Sequence, residues 1–147
     1  MSDSRQYAGQ STYLGVLAAA TAGEVKTLID GLLPALNDVE VLANRTGLVM
    51  LPYTDTVQGT PFFLGEVLVS EAHVRVGGQE GYGACLGRDL EQALAIALAD
   101  AVLQSHPPLP QRAAILRFVA EQDVAQRAAE VTLQQKVEAT RIELETF

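Results

Sequence analysis

Tryptophan is absent and aromatic residues make up only 5% of the 147-residue chain, so Leu, Val, Ile and Ala must supply its core. Cysteine occurs once, at Cys85, which excludes an internal disulfide and any cysteine-based zinc cluster. A lone thiol is consistent with a reducing compartment. Only two histidines are present, His73 and His106, and neither stands at metal-ligand spacing or in a recognisable relation to a serine. A metal site and a hydrolytic triad therefore lack support. Bases are scarce: 10 Lys and Arg oppose 18 Asp and Glu, for a formal net charge of −8. That balance argues against a nucleic-acid binder, which needs a basic face to release counterions, and against docking on an anionic membrane. No apolar run approaches the ~20 residues of a membrane span. The opening MSDSRQYAGQSTY lacks the basic flank and apolar stretch of a signal peptide, so a cytoplasmic protein is expected.

What is present fits one domain over residues 1–147, long enough to bury a core without staples. Residues 1–11 are polar and expected to be flexible. Tyr13, Leu14, Val16, Leu17, Val25, Leu28, Ile29, Leu32 and Leu33 recur at helical spacing, predicting one helix or two short ones that end at Pro34. Thr21, Ala22 and Gly23 offer a break, with Thr21 and Glu24 spaced as a capping box. Residues 38–43 alternate weakly as a strand, Asn44 to Gly47 suggests a turn, and Leu48 to Leu51 suggests a return strand closed by Pro52. Phe62 to Val76 is the longest predicted strand. Its first half looks covered on both faces, and its second half solvated on the face of Glu71, His73 and Arg75. Gly77-Gly78 predicts a hairpin turn into a strand over 79–86, where Gly81 and Gly83 mark a bulge or a close backbone approach. Asp89 and Gln92 start a helix running to about Ser105. After the proline-rich break at 106–110, residues 111–147 form an extended C-terminal helix with a thin apolar row of Leu116, Ala120, Val124, Val131 and Val137. The expected architecture is α+β, an antiparallel sheet of about four strands with helices packed on it.

Few of these residues suggest chemistry. The run from Gly81 to Gly87 is spaced G-x-G-x-x-x-G rather than G-x-G-x-x-G, and no Lys-Ser/Thr pair follows, so a bulged hairpin explains it better than a phosphate cradle. Arg88, beside a helix start, and Arg75 are the only ligand candidates. No catalytic, cofactor-binding or metal-ligating residue is assigned. Glu66 shares a strand face with Phe62, Leu64 and Leu68, which predicts a buried carboxylate paired with Arg88 or with a partner chain. Cys85 reads as an inert packing residue. Asp89 is a structural candidate as a helix cap. Val124 and Val131, with Arg127 and Arg141 at the rim, are the candidates for partner contact. Arg117–Glu121, Asp123–Arg127 and Arg141–Glu145 stand four apart and can pair along the helix.

Four runs in order resemble one bacterial family. They are Thr46-Gly-Leu-Val-Met50; Phe63-Leu-Gly-Glu-Val67 with Glu71-Ala72-x-Val74-Arg75; Gly81-Tyr-Gly83 with Leu86-Gly-Arg-Asp89; and Asp100-Ala101. The tail from Val137 to Leu144 is similar as well. The family is PhnG of the carbon–phosphorus lyase system, and the likeness covers roughly Tyr13 to Phe147. Gln10 and Tyr13 depart from it, standing where the family tends to place arginine and tryptophan. The resemblance implies a small cytoplasmic subunit of a protein complex in phosphonate catabolism. With PhnH, PhnI, PhnJ and PhnL-type subunits, it would support transfer of methylphosphonate onto ATP, displacing adenine to give ribose 1-methylphosphonate 5-triphosphate. It would be a non-catalytic subunit of that transferase, with no cofactor of its own, either alone or as a homodimer. The alternative is a free-standing helical interaction module with no phosphonate role.

Overall fold

A computed structural model describes residues 9–54 and 57–145, with the side chains of residues 51–54, 61–64 and 141–145 left aside. The chain begins with two helices, α1 (Gln10–Ala19) and α2 (Ala22–Leu32), and a 3₁₀ turn at Leu33–Ala35. Three strands follow, β1 (Val39–Thr54), β2 (Pro61–Val76) and β3 (Gln79–Leu86), and then α3 (Leu90–Gln104) and α4 (Arg112–Glu145). The strands form one antiparallel sheet in the order β1-β2-β3.

Helix α3 lies at the centre. Residues Gln92 to Leu103, Leu94 apart, are buried, because the sheet covers one side of the helix and α1, α2 and α4 cover the others. The covered sheet face carries Ser70, Ala72, Val74 and Val76 from β2 with Gly81, Gly83 and Cys85 from β3, which is the period-2 face the sequence predicts. The glycines there have one purpose. A Cβ on Gly81 would lie 2.6 Å from Ala101 N, and one on Gly83 would lie 2.5 Å from Ala97 N. Ala93, Ala97 and Ala101, one helical turn apart, thus press the α3 backbone onto a strand that has no side chains in the way. The β2–β3 ladder runs from Val69↔Leu86 to Val76↔Gln79 without a shift, so the glycines mark close approach and not a bulge.

Several expectations are corrected. Asn44 to Gly47 is not a turn: β1 runs straight through it, pairing from Val39↔Val76 to Thr54↔Pro61. Two predicted short strands are therefore one 16-residue strand, and the sheet has three strands. Gln10 and Ser11 belong to the first turn of α1, and the residues before Gly9 lie outside the described part. The break near Thr21 is real, but Thr21 caps α2 without a side-chain hydrogen bond. In β2 the expected covering of the first half on both faces is not found among the described residues, while the second half is open on the predicted face. Its second half is covered on one face, whereas Gly65 and Glu66 are exposed and residues Val67 to Val69 only half-buried. The helices stop short of that end of the sheet.

Helix α4 is anchored only at its start. Ile115 and Val119 are fully buried, Leu116, Phe118 and Ala120 pack beside them, and Gln126 Nε2 donates to Val16 O at 3.0 Å. This row, and not the one through Val124 and Val131, is the core-facing side. Residues 127–140 are exposed throughout.

Candidate functional site

The turn from β3 into α3 is built around Ser70, whose side chain is fully buried. Its hydroxyl donates to Gly87 O at 2.6 Å and accepts from Asp89 N at 2.9 Å, so one side chain satisfies both ends of a tight turn. Gly87 supplies the turn with φ 86°. Asp89 then caps α3, accepting from Gln92 N at 3.1 Å and pairing with Lys26 Nζ at 3.0 Å. Burial pushes the Asp89 carboxyl up, but the Gln92 N–H and the Lys26 ammonium outweigh it and hold it below the usual range. The reciprocal half of the capping box does not form, since Gln92 Nε2 donates to Ala20 O at 3.4 Å and ties α3 to the end of α1. Burial raises the Cys85 thiol, whose Sγ lies 3.5 Å from Asp89 O, as suits a packing residue. Arg88 is exposed here and makes no ion pair among the described residues.

The open face of the sheet carries a ladder of opposite charges across strands. Arg75 bridges Glu40 at 3.1 Å on β1 and Glu80 at 3.4 Å on β3. Arg45 reaches Glu71 at 2.6 Å, and Tyr82 donates its hydroxyl to the same carboxylate at 3.0 Å. Those bonds, from Arg45 first and Tyr82 second, hold the Glu71 carboxyl low against its partial burial. His73 Nε2 lies 3.6 Å from Glu80. The row Glu71, His73, Arg75 is thus spent on cross-strand pairing. Arg75 and Arg88 lie at opposite ends of β3, roughly 25 Å apart at the rise of a strand, so this chain does not bring them into one site.

The sequence named Asp100 only within a matching run, and the structure makes it the most heavily bonded side chain among the described residues. It is fully buried on α3 with no cation paired to it among the described residues. Gln10 Nε2 donates to it at 3.1 Å, Tyr82 N at 2.8 Å and Gln104 Nε2 at 2.9 Å, and the Tyr13 hydroxyl makes a short fourth contact. Burial, then the bond and the charge of Asp100, push the Tyr13 hydroxyl far above its ordinary range. A carboxylate offers about four acceptor positions. Here all are taken, and the edge-strand amide of Tyr82 is satisfied in the process. A shallow cleft of about 270 Å³ runs past this network, bordered by His73, Glu80 and Gln104.

Glu66, expected to be buried and paired, is exposed opposite Met50. Its face was assigned correctly, yet the helix layer ends before reaching it. Val124 and Val131 are 67% and 55% exposed, which leaves them open to a partner, and Arg127 pairs with Asp123 at 3.1 Å. The Arg141 side chain lies outside the described residues. Arg117–Glu121 is not among the ion pairs of the described residues. No group of three or more His, Cys, Asp or Glu among them could hold a metal ion, and no described helix is long and apolar enough to cross a membrane.

A family model described as phosphonate metabolism protein PhnG matches residues 10–147. The chain belongs to the PhnG family. Among curated relatives, the alpha-D-ribose 1-methylphosphonate 5-triphosphate synthase subunit PhnG of Rhizobium meliloti (strain 1021) is 37% identical over 105 residues, covering 71% of this chain and 67% of that protein. Gln10 and Tyr13, where the resemblance suggested a departure from the family's pattern, both donate to Asp100.

Proposed function

We propose that this chain is a non-catalytic subunit of an alpha-D-ribose 1-methylphosphonate 5-triphosphate synthase acting in phosphonate catabolism. The observation that carries the reading is the family match over residues 10–147, together with a curated relative named as a subunit of that enzyme. The residues agree with it: the buried Ser70 and Asp100 and the half-buried Asp89 are all consumed in holding the fold. The partners would be PhnH, PhnI, PhnJ and PhnL-type subunits in the cytoplasm. Helix α4 from residue 127 onward, exposed over residues 127–140, would dock on them through Val131, with Arg127 and Arg141 at the rim. If the chain lends a group to a ligand site shared with another subunit, Arg88 is better placed than Arg75, whose guanidinium is committed to two carboxylates. A free-standing interaction module gains no support from the family match.

The test is reconstitution. Adenine release from ATP with methylphosphonate should require this chain together with its partners, and the purified chain alone should release none. Activity of the lone chain, or full activity of the partners without it, would overturn the proposal.

A further inference from the structure

β3 ends at Leu86, opposite Val69, while β1 and β2 continue paired to Thr54 and Pro61. Residues 48–54 and 61–68 are therefore a two-stranded ribbon that extends past the third strand and past the helices. Its described side chains are apolar on both faces. One face carries Leu48, Met50 and Leu68, with Glu66 as the lone charge; the other carries Val49 and Val67. Leu48 is 63% exposed and Val49 53%, and Leu86 at the ribbon's root adds a further exposed apolar side chain. An isolated hairpin in water is marginal, and a chain carrying −8 would normally place charge on such an arm.

We infer that this ribbon is a docking arm, inserted into an apolar cleft of another subunit of the synthase and separate from the α4 contact. The inference rests on the subunit reading above. The two-sided apolar surface calls for an occupant that encloses the ribbon and lacks strong charge where it does so. A second copy of the chain fits less well. Extending the sheet through β1 would meet Pro52, which has no N–H to offer, beside a register shift between Leu51 and Pro52. Size is adequate. At ~3.3 Å per residue and ~4.8 Å between strands, the ribbon is roughly 23–26 Å long and 10 Å wide. Its two faces then offer about 500 Å², over half of the ~800 Å² per partner of a stable interface.

The experiment is copurification of the full chain with coexpressed synthase subunits, comparing wild type with Leu48→Lys/Val49→Glu, which charges both faces without altering net charge. Leu48→Thr/Val49→Thr is the milder companion, keeping strand propensity should the first variant fold poorly. The expected result is a melting temperature within a few degrees of wild type and at least tenfold less recovered partner for the charged pair. The threonine pair should show an intermediate loss. Wild-type recovery by folded variants would overturn the arm while leaving the subunit reading intact. Failure of the wild-type chain to copurify would instead sink both. A lone chain that sediments as a dimer, and turns monomeric in the variants, would overturn the inference in favour of a second copy.

Discussion

Gly81 and Gly83 show how much of this fold depends on the absence of single atoms. Alanine at either position puts a methyl group into the α3 backbone, which cannot yield without lifting the helix off the sheet. Gly83→Ala should cost at least ~2–3 kcal/mol of unfolding free energy, in the range of overpacked cores, while Gly47→Ala, with open space around it, should stay within about 0.5 kcal/mol. Urea titration of the two variants checks the contrast. Asp100→Ala should be as damaging as the Gly83 change, about 3 kcal/mol or more, because it strands donors from Gln10, Tyr13, Tyr82 and Gln104 in a buried place. Glu66→Ala should lie within about 0.5 kcal/mol in the isolated chain, since the side chain is exposed. A large loss there in the lone protein would restore the buried carboxylate that the strand pattern suggested.

Helix α3 is fixed at its entry by one capping carboxylate. Asp89→Ala should lower stability by about 1 kcal/mol, the usual worth of an N-cap. The pH dependence follows from the same bond. The Asp89 and Glu71 carboxyls titrate lower when folded than when unfolded, so the folded state is favoured above their unfolded values near ~4. That stabilisation is lost as pH falls through the still lower folded values. The urea midpoint of wild type should therefore drop between pH 5 and pH 2 more than that of an Asp89→Asn/Glu71→Gln variant. Equal slopes would show that neither pairing contributes.

The whole molecule divides α4 into an anchored root and a free shaft. A chain ending at His106 removes the buried Ile115 and Val119 and should not hold its fold, so it cannot test docking. Ending the chain at Arg127 keeps the root, including the Gln126 bond to α1, and removes residues exposed along their whole described length. That truncation should melt within a few degrees of the full chain yet recover far less of the other synthase subunits. Val131→Asp should act the same way, and charge reversal at Arg127 should mainly slow association, as expected of a rim charge. Undiminished complex formation by the truncated chain would remove α4 from the interface and leave the β1–β2 ribbon as the remaining candidate.

Local rules were sufficient wherever the neighbours that mattered were close in sequence. Asp89 with Gln92 fixed the start of α3, Gly77-Gly78 fixed the β2–β3 turn, and the alternation from Ser70 to Val76 fixed the buried face of the sheet. The order of four short runs was enough to point to the PhnG family before any contact was known. Local rules failed where the answer depended on which distant element lay overhead. Asn44 to Gly47 carries turn-forming residues, yet β2 supplies a continuous partner and the pairing overrides their propensity. Alternation assigned Glu66 to the correct face but carries no information on how far the helix layer extends, so burial there was beyond its reach. The glycines of β3 and the carboxylate of Asp100 took their meaning from α3 and α1 packed across the sheet. Sequence determined which face of each element was apolar; tertiary packing decided how much of that face was covered, because coverage is set by the lengths and crossing points of elements distant along the chain.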